Sequence, residues 1–334
     1  VITGSLNITG VPDANGGVLP KITGGGSNRL FEVKSGGELV VKYLNLTGGV
    51  ASDYGGAIFV VNSGSFLTAS NCFFVGNKAT TEGGGAIGLD RGRANISHCG
   101  FIRNSAAYGG AILARYTVLN IVDSNFIFNK AQETGGAVEA YGGNGGAATV
   151  LNMNRVVVKQ NQQYGSDSNA DGGGGLYCFY LVDAYFTDCT FIDNVAEGSG
   201  NGHHLMIRKA ASVGAPSITL INTMFVNSLQ SSNLLYGYVY DTGNHGENEF
   251  TGTQSCSSAP TQCDDNGYPN TICTTRQNPE EGVICVQNCT PGTHKAGTFN
   301  HTCKACPMGT FSNAWNQYQC KSCESGTFSA SSNS

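Results

Sequence analysis

The sequence predicts an all-β protein: a right-handed parallel β-helix followed by small disulfide-rich modules. A Gly-Gly-Ala phrase recurs along the first half of the 334-residue chain and alternates with Phe-x-x-Asn. Both recur about every 25 to 30 residues, a period typical of repeat architectures. Between them, apolar residues alternate along short segments, which favours strands over helices. We place the β-helix in residues 1–250 and the modules in residues 251–334.

Each repeat is expected to form one coil of the solenoid. Coils of such folds stack about 4.8 Å apart, and the period predicts about eight of them. Glycine accounts for 48 of the 334 residues and falls at fixed places in the repeat. Because glycine adopts positive φ without steric cost, these places are predicted bends. The first glycines of the phrase are Gly55, Gly84, Gly109 and Gly135.

Equivalent residues of successive coils should form ladders. The repeat phenylalanines Phe74, Phe101 and Phe126 are expected to stack inside the tube. The repeat asparagines are expected to form a second ladder at a bend, with amide bonded to amide along the stack. These asparagines are Asn77, Asn104, Asn129, Asn161 and Asn194. We interpret both ladders as structural rather than as ligand sites.

The alternation of Gly-Gly-Ala-(Ile/Val) with Phe-x-x-Asn resembles the repeat of the polymorphic outer-membrane-protein family. The stretch from Leu30 to Thr47 is similar to an opening coil of such a domain, and the resemblance covers roughly residues 28 to 230. It implies a β-helix at a cell surface. The pattern changes late, at Gly202-His203-His204-Leu205 and at Phe225-Val226-Asn227-Ser228.

Composition excludes several classes of function. Charged residues make up only 12% of the chain and the net charge is −5, with no basic run, so no nucleic-acid partner is predicted. No apolar stretch of 18 residues occurs, so no membrane insertion is predicted in this segment. The chain starts at Val1 without a signal peptide, and we expect a mature or trimmed product.

The sequence contains five N-glycosylation sequons, which matter only in a secreted protein. About that many arise by chance in a chain this rich in Asn, Ser and Thr. The candidate residues are Asn7, Asn45, Asn95, Asn288 and Asn300.

Composition changes near residue 255, where a cysteine-rich tail begins. Four of the 13 cysteines precede this point and nine come after it. The tail repeats Cys-x-x-Cys-x-x-Gly-Thr-Phe-Ser with a spacing of 17 residues, at Cys303 and again at Cys320. An odd cysteine count leaves at least one thiol free or bonded outside this chain. Because the last repeat stops soon after Cys323, we expect the natural polypeptide to continue.

Two hypotheses explain the tail: tetrahedral zinc sites or a disulfide framework. We favour disulfides, since a 17-residue unit with almost no aliphatic residues cannot build a core. The unit also resembles the ephrin-receptor-like cysteine-rich repeat, over about residues 285 to 330, and related EGF-like modules. That resemblance implies tandem disulfide-bonded modules in a rod or stalk. The tail candidates are Cys256, Cys263, Cys273, Cys285, Cys289, Cys303, Cys306, Cys320 and Cys323.

The four earlier cysteines are also disulfide candidates: Cys72, Cys99, Cys178 and Cys189. Cys72, Cys99 and Cys189 lie two residues before the repeat Phe, so they should point inward with it. Cys72 and Cys99 occupy successive coils, where Cβ atoms about 4.8 Å apart are slightly too distant for a disulfide. A Cys72–Cys99 bond and two buried free thiols both remain open.

For the function of the chain, an enzyme ranks third, after the two binding or structural roles given below. It is considered because many parallel β-helices cleave acidic polysaccharides. That chemistry needs clustered carboxylates with a cation on one face. The best local candidates lack the spacing of polygalacturonase motifs, and we predict no catalytic residue. These candidates are Asp183, Asp188, Asp193, His203, His204, Arg208 and Lys209.

Three further segments could bind ligands but have ordinary interpretations. Residues Cys263 to Gly267 hold oxygen ligands near a glycine, yet lack the spaced series that Ca²⁺ needs. Tyr236, Tyr238 and Tyr240 alternate, which fits half-buried strand packing as well as a glycan site. The segment Gln162 to Gly175 is a long insertion, and insertions in solenoids map to loops.

We conclude from the sequence that this is an extracellular, secreted or cell-surface protein without a cofactor. Residues 1–27 show no amphipathic cap, and uncapped sheet edges invite pairing with other strands. The leading prediction is a structural subunit of an extracellular fibre, such as a filament on protist flagella. Its partners would be other copies of itself and N-linked glycans. The alternative is an adhesin or receptor ectodomain.

Overall fold

In its computed structural model, the chain folds into parallel strands that stack turn upon turn. The structure describes residues 1–12, 18–143, 148–165, 172–197, 203–208, 217–221, 223–226, 235–237, 249–251, 293–296, 302–306, 310–311 and 321–322. No helix occurs within these ranges. None of their segments is therefore a helix able to cross a membrane.

The strands of the first half, in chain order, are β1 (Ser5–Thr9), β2 (Lys21–Thr23), β3 (Phe31–Val33), β4 (Glu38–Lys42), β5 (Asn45–Thr47), β6 (Val50–Ala51), β7 (Ile58–Val61), β8 (Phe66–Ser70), β9 (Phe73–Val75), β10 (Lys78–Ala79), β11 (Ile87–Asp90), β12 (Arg93–Ser97), β13 (Gly100–Ile102), β14 (Ser105–Tyr108), β15 (Ile112–Arg115), β16 (Val118–Val122), β17 (Asn125–Ile127) and β18 (Lys130–Thr134).

The later strands are β19 (Val138–Tyr141), β20 (Thr149–Asn154), β21 (Val157–Lys159), β22 (Gln162–Gln163), β23 (Leu176–Phe179), β24 (Val182–Thr187), β25 (Thr190–Ile192), β26 (Val195–Ala196), β27 (Leu205–Arg208), β28 (Ser217–Ile221), β29 (Met224–Val226), β30 (Leu235–Gly237), β31 (Glu249–Thr251), β32 (Thr293–Ala296), β33 (Thr302–Ala305), β34 (Thr310–Phe311) and β35 (Lys321–Ser322).

Four parallel sheets run along the stack. Sheet A has the order β3-β7-β11-β15-β19-β23-β27-β30, and sheet B has the order β1-β4-β8-β12-β16-β20-β24-β28. Sheet C has the order β2-β5-β9-β13-β17-β21-β25-β29-β31, and the short sheet D has the order β26-β22-β18-β14-β10-β6. Each of the six turns from β3 to β26 contributes one strand to each sheet, so the fold is a parallel β-solenoid, as the sequence predicts.

Within the described residues, six turns, from β3 to β26, have a strand in all four sheets. The repeat period predicts about eight coils, and sheets A and B have eight described strands and sheet C nine. The strands before β3 and after β26 belong to turns that the structure describes only in part. In the tail, the described strands form two antiparallel pairs, β32–β33 and β34–β35.

The phenylalanine ladder is confirmed. The rings of Phe74 and Phe101 stack with centroids 4.8 Å apart and planes 2° apart. Those of Phe101 and Phe126 stack at 4.6 Å and 3°. These separations match the spacing between strands, so the solenoid itself sets the stacking distance. Val158 occupies the next position, between Phe126 and Phe191.

The interior asparagine ladder is also confirmed. Each side-chain nitrogen donates to the amide oxygen of the next turn, at 2.9 to 3.0 Å, from Asn77 through to Asn194. Each also donates to a main-chain carbonyl, as Asn104 does to Phe74 at 2.9 Å. All five asparagines are buried. They satisfy backbone groups that would otherwise be unpaired in the core.

The two glycines of the repeat phrase have different roles. The first is in the left-handed region, with φ of +72° at Gly84 for example. The second has no room for a side chain: a Cβ at Gly85 would lie 2.3 Å from the Gly110 carbonyl oxygen. The phrase therefore marks a bend and a close contact between turns.

The bends after sheet B need no glycine, a feature that the repeat pattern does not predict. They are occupied by Tyr43, Asn71, His98, Asp123, Arg155 and Asp188, with φ between +49° and +54°. Such conformations normally disfavour residues with a Cβ. Here the main-chain N–H of each bend residue from Tyr43 to Arg155 donates to a carbonyl of the next turn. Pairing between turns holds the bend, whatever the side chain.

Candidate functional site

A chain of aromatic and arginine side chains crosses several turns where sheet A leads into sheet B. We call this surface the aromatic flank. It comprises Tyr54, Phe59, Arg91, Arg115, Tyr116, Tyr141, Phe179 and Tyr180. Phe59 is buried and the three tyrosines after it are half-buried.

Strand register brings the flank together. Arg115, Tyr141 and Phe179 are the last residues of β15, β19 and β23 and pair with one another in the parallel sheet. Tyr116 and Tyr180 come next, at the bends, with φ of +53° and +62°. Parallel pairing thus places side chains from distant positions side by side.

The rings and guanidinium groups touch in a continuous path. Arg115 lies 5.6 Å from the ring of Tyr54 and 5.0 Å from that of Tyr141. Its NH1 group donates to the Tyr54 hydroxyl at 2.6 Å. Tyr141 contacts Tyr116 edge-on at 5.6 Å and Tyr180 at 5.2 Å. Such cation–π and edge-to-face contacts fix the rings in place.

A buried carboxylate lies next to the flank. Glu139 is the second residue of β19, only 5% exposed, and accepts a hydrogen bond from the Thr134 hydroxyl. Burial raises the pKa of its carboxyl to about 7, and the negative charge of Glu82 adds to this rise. The hydrogen bond from Thr134 and the positive charge of Arg115 act in the opposite direction. Its negative charge in turn contributes to the raised pKa of Tyr108 and Tyr177, for which burial is the main cause.

The raised pKa of Glu139 predicts a pH-dependent stability. Between the ordinary pKa of 4.5 and about 7, the folded state holds a proton that the unfolded state releases, so stability falls as pH rises. The full loss is about 3 kcal/mol. Urea denaturation at pH 5 and pH 8 should show that Glu139→Gln removes most of this loss. Glu38→Gln, on sheet B, should leave it unchanged; equal pH dependence in both variants would contradict the prediction.

The catalytic candidates suggested by the sequence are scattered. Asp183 lies in β24 of sheet B, whereas Asp188 and Asp193 occupy bends after sheets B and C, with φ of +52° and +48°. His203 Nδ1 accepts a hydrogen bond from the Ala196 main chain. His204 is buried, with Nδ1 3.0 Å from the Asn194 side-chain nitrogen.

Other candidates have no described side chain or lie outside the described residues. Arg208 ends β27 and Tyr236 lies in β30, and nothing is described of either side chain. Lys209, Tyr238, Tyr240 and the segment 263–267 lie outside the described residues. Within those residues, no three His, Cys, Asp or Glu side chains cluster closely enough to hold a metal ion.

The four solenoid cysteines are buried free thiols, so the Cys72–Cys99 bond is not formed and Cys178 and Cys189 are not disulfides either. Adjacent strands keep Cβ atoms about 4.8 Å apart, beyond the mean disulfide separation of about 3.8 Å. Instead, each thiol donates to the main-chain carbonyl two residues before it, Cys72 to Ser70 at 3.3 Å and Cys99 to Ser97 at 3.2 Å. Each thiol is also the main influence on the other, lowering the pKa of Cys72 and raising that of Cys99.

In the tail, Cys306 is buried and disulfide-bonded, and Cys303 lies in β33. The structure does not describe the bonding partner of Cys306. The remaining tail cysteines are outside the described residues: Cys256, Cys263, Cys273, Cys285, Cys289, Cys320 and Cys323. A disulfide framework for the whole tail stays a prediction.

The sequons differ in their surroundings. Asn7 in β1 and Asn95 in β12 are exposed, and Asn45 in β5 is half-buried. The Oδ1 atom of Asn45 is buried and has no hydrogen-bond partner within the described part of the chain. Asn288 and Asn300 lie outside the described residues.

The fold and its surface thus define a parallel β-solenoid with an aromatic flank. No protein-family model matches the chain. It is similar to metabotropic glutamate receptor-like protein R of Dictyostelium discoideum, with 29% identity over 161 residues, covering 43% of this chain and 10% of that protein. The chain therefore matches about a tenth of the length of this relative. The two resemblances drawn from sequence motifs stay predictions.

Proposed function

We propose that this chain is part of the extracellular region of a cell-surface protein and recognises a partner through the aromatic flank. The observation that supports this is the continuous path of rings and guanidinium groups from Tyr54 to Tyr180. Tyrosine and arginine dominate the binding energy of many protein interfaces. The receptor-like relative supports a location at the cell surface.

Preorganisation favours the flank over the other exposed aromatics. Its rings are held by one another and by Arg91 and Arg115, so binding would order few side chains. Side chains that are already fixed lose less entropy on association. By comparison, Tyr185 on sheet B is 43% exposed and belongs to none of these contacts.

Removing two flank tyrosines tests the proposal. We expect the double variant Tyr116→Ser, Tyr180→Asn to bind cells at least ten-fold more weakly, since hot-spot losses exceed about 1.4 kcal/mol. Asn suits the left-handed bend at Tyr180. Binding of fluorescently labelled chain to intact Dictyostelium discoideum cells, measured by flow cytometry, gives the affinity.

The matched control is Tyr185→Ser, which removes an exposed tyrosine from sheet B. It should bind as the parent chain does. Equal binding by the double variant and this control would overturn the proposal, as would a failure of the parent chain to bind.

A filament subunit is the second candidate. The solenoid repeats the same four-sheet turn six times, so a strand of one copy has the backbone pattern needed to pair with a strand of another. Sheet edges left unpaired serve as templates for pairing with another strand. End-to-end stacking, with the cysteine-rich tail linking neighbours through disulfides, would give a fibre. Electron microscopy of concentrated protein tests this; particles that stay monomeric would refute it.

We also propose that the chain acts by binding rather than catalysis. Supporting this, the carboxylates suggested for polysaccharide cleavage come from different places in the turn: Asp183 from a strand of sheet B, and Asp188 and Asp193 from the bends after sheets B and C. An assay of reducing ends released from acidic polysaccharides would contradict the proposal if it detected turnover.

A further inference from the structure

A second asparagine ladder runs along the outer face of sheet B. Asn95, Asn120 and Asn152 pair in register on β12, β16 and β20. The side-chain nitrogen of Asn120 donates to Asn95 Oδ1 at 2.8 Å, and that of Asn152 donates to Asn120 Oδ1 at 2.8 Å. Asn95 is the first residue of this ladder: its side-chain oxygen accepts a hydrogen bond from Asn120.

Asn95 is the member of this ladder that lies in a sequon. It begins Asn95-Ile96-Ser97, whereas neither Asn120 nor Asn152 has Ser or Thr two residues later. Its side chain is exposed in the middle of β12. Its side-chain nitrogen, the atom that N-glycosylation modifies, makes no hydrogen bond within the described part of the chain.

We infer that Asn95 carries an N-linked glycan; this rests on the extracellular location in the proposed function. In the reaction, a lipid-pyrophosphate-linked oligosaccharide of the secretory pathway is the donor. The Asn95 Nδ2 atom forms a bond to the sugar anomeric carbon, the bond from that carbon to the pyrophosphate breaks, and the amide loses one proton. The lipid pyrophosphate is the leaving group.

The folded structure accommodates the product. A glycosylated amide keeps its oxygen, so the hydrogen bond from Asn120 to Asn95 Oδ1 at 2.8 Å can persist. On the N-terminal side, the register neighbour is Thr68, a small residue on β8. Asn45, in contrast, is half-buried, and its Oδ1 is enclosed. A glycan at Asn95 would stand over the outer face of sheet B and keep other chains from packing there.

Mass spectrometry of the full chain secreted from a eukaryotic host tests the inference. Treatment with peptide:N-glycosidase in ¹⁸O-labelled water converts a glycosylated asparagine to labelled aspartate. We expect the peptide containing Asn95 to carry the label in most molecules. Recovery of this peptide unmodified would overturn the inference, whether or not other sequons are occupied.

Variants separate the glycan from the ladder. Asn95→Gln and Ser97→Ala should each lose one glycan, although Ser97→Ala keeps the Asn95 amide. Asn120→Gln, from the same ladder but outside a sequon, should keep it. Loss of the glycan in Asn120→Gln would contradict the assignment. If the secreted parent chain binds cells but carries no glycan at Asn95, only this inference fails. If it carries the glycan but does not bind cells, only the recognition function fails.

Discussion

Replacing Asn104 by alanine should lower the free energy of unfolding by about 4 kcal/mol, because four buried hydrogen bonds lose a partner. The Asn104 oxygen accepts from the main-chain and side-chain nitrogens of Asn77, both at 3.0 Å. Its nitrogen donates to the Phe74 carbonyl at 2.9 Å and to Asn129 Oδ1 at 3.0 Å. Alanine removes one hydrogen-bond partner from each of these buried groups. Urea denaturation followed by circular dichroism measures the loss.

The outer ladder supplies the control for this experiment. Asn120 also bonds to an asparagine in the turn on either side, but on the surface of sheet B, where water can replace the lost bonds. Asn120→Ala should therefore change the free energy of unfolding by less than about 1 kcal/mol. If both variants lose equal stability, the interior ladder does not have the role described.

Replacing Gly85 by alanine should be almost as damaging, with a loss of about 3 kcal/mol, since added atoms in a packed core strain the structure. A Cβ at this position would lie 2.3 Å from the Gly110 carbonyl oxygen and 2.5 Å from that of Ser105. Both contacts are main chain, so no side-chain rotation can relieve them. Two turns of the solenoid would have to separate.

Gly4→Ala is the matched control, because a Cβ there meets nothing within 4 Å. It should change stability by less than about 1 kcal/mol. Thermal unfolding of the two variants, followed by circular dichroism, gives the comparison. A Gly85 variant as stable as the Gly4 variant would show that adjacent turns are less tightly packed than the structure indicates.

The interior could be predicted from sequence because it repeats the same physical demand in every turn. Phe101 and Asn104 each have an equivalent of the same type in the turns on either side. The bends after sheet B could not be predicted in this way. His98 and Arg155 adopt positive φ because hydrogen bonding between turns imposes it. Their residue types do not predict a bend, since side chains with a Cβ normally disfavour this conformation.

The aromatic flank was missed for a related reason. Its members differ in type from turn to turn, as with Arg115, Tyr141 and Phe179, and only the register of sheet A aligns them. Their shared position in the repeat could have predicted the contact, because Arg115 and Tyr141 each lie four residues after the alanine of a Gly-Gly-Ala phrase. The sequence left a Cys72–Cys99 disulfide and two buried free thiols as equal alternatives, because the expected separation lies close to the limit for a disulfide.

The interior asparagine ladder gives the solenoid a net dipole along its axis. Every amide from Asn77 to Asn161 donates toward the later turn, so the amide dipoles add head to tail and polarise one another. The column accepts a main-chain N–H of Gly49 at its first oxygen and directs its last nitrogen toward His204 Nδ1. A turn grafted into the middle would have to present its amide with the same polarity, or the column would divide into two shorter ones.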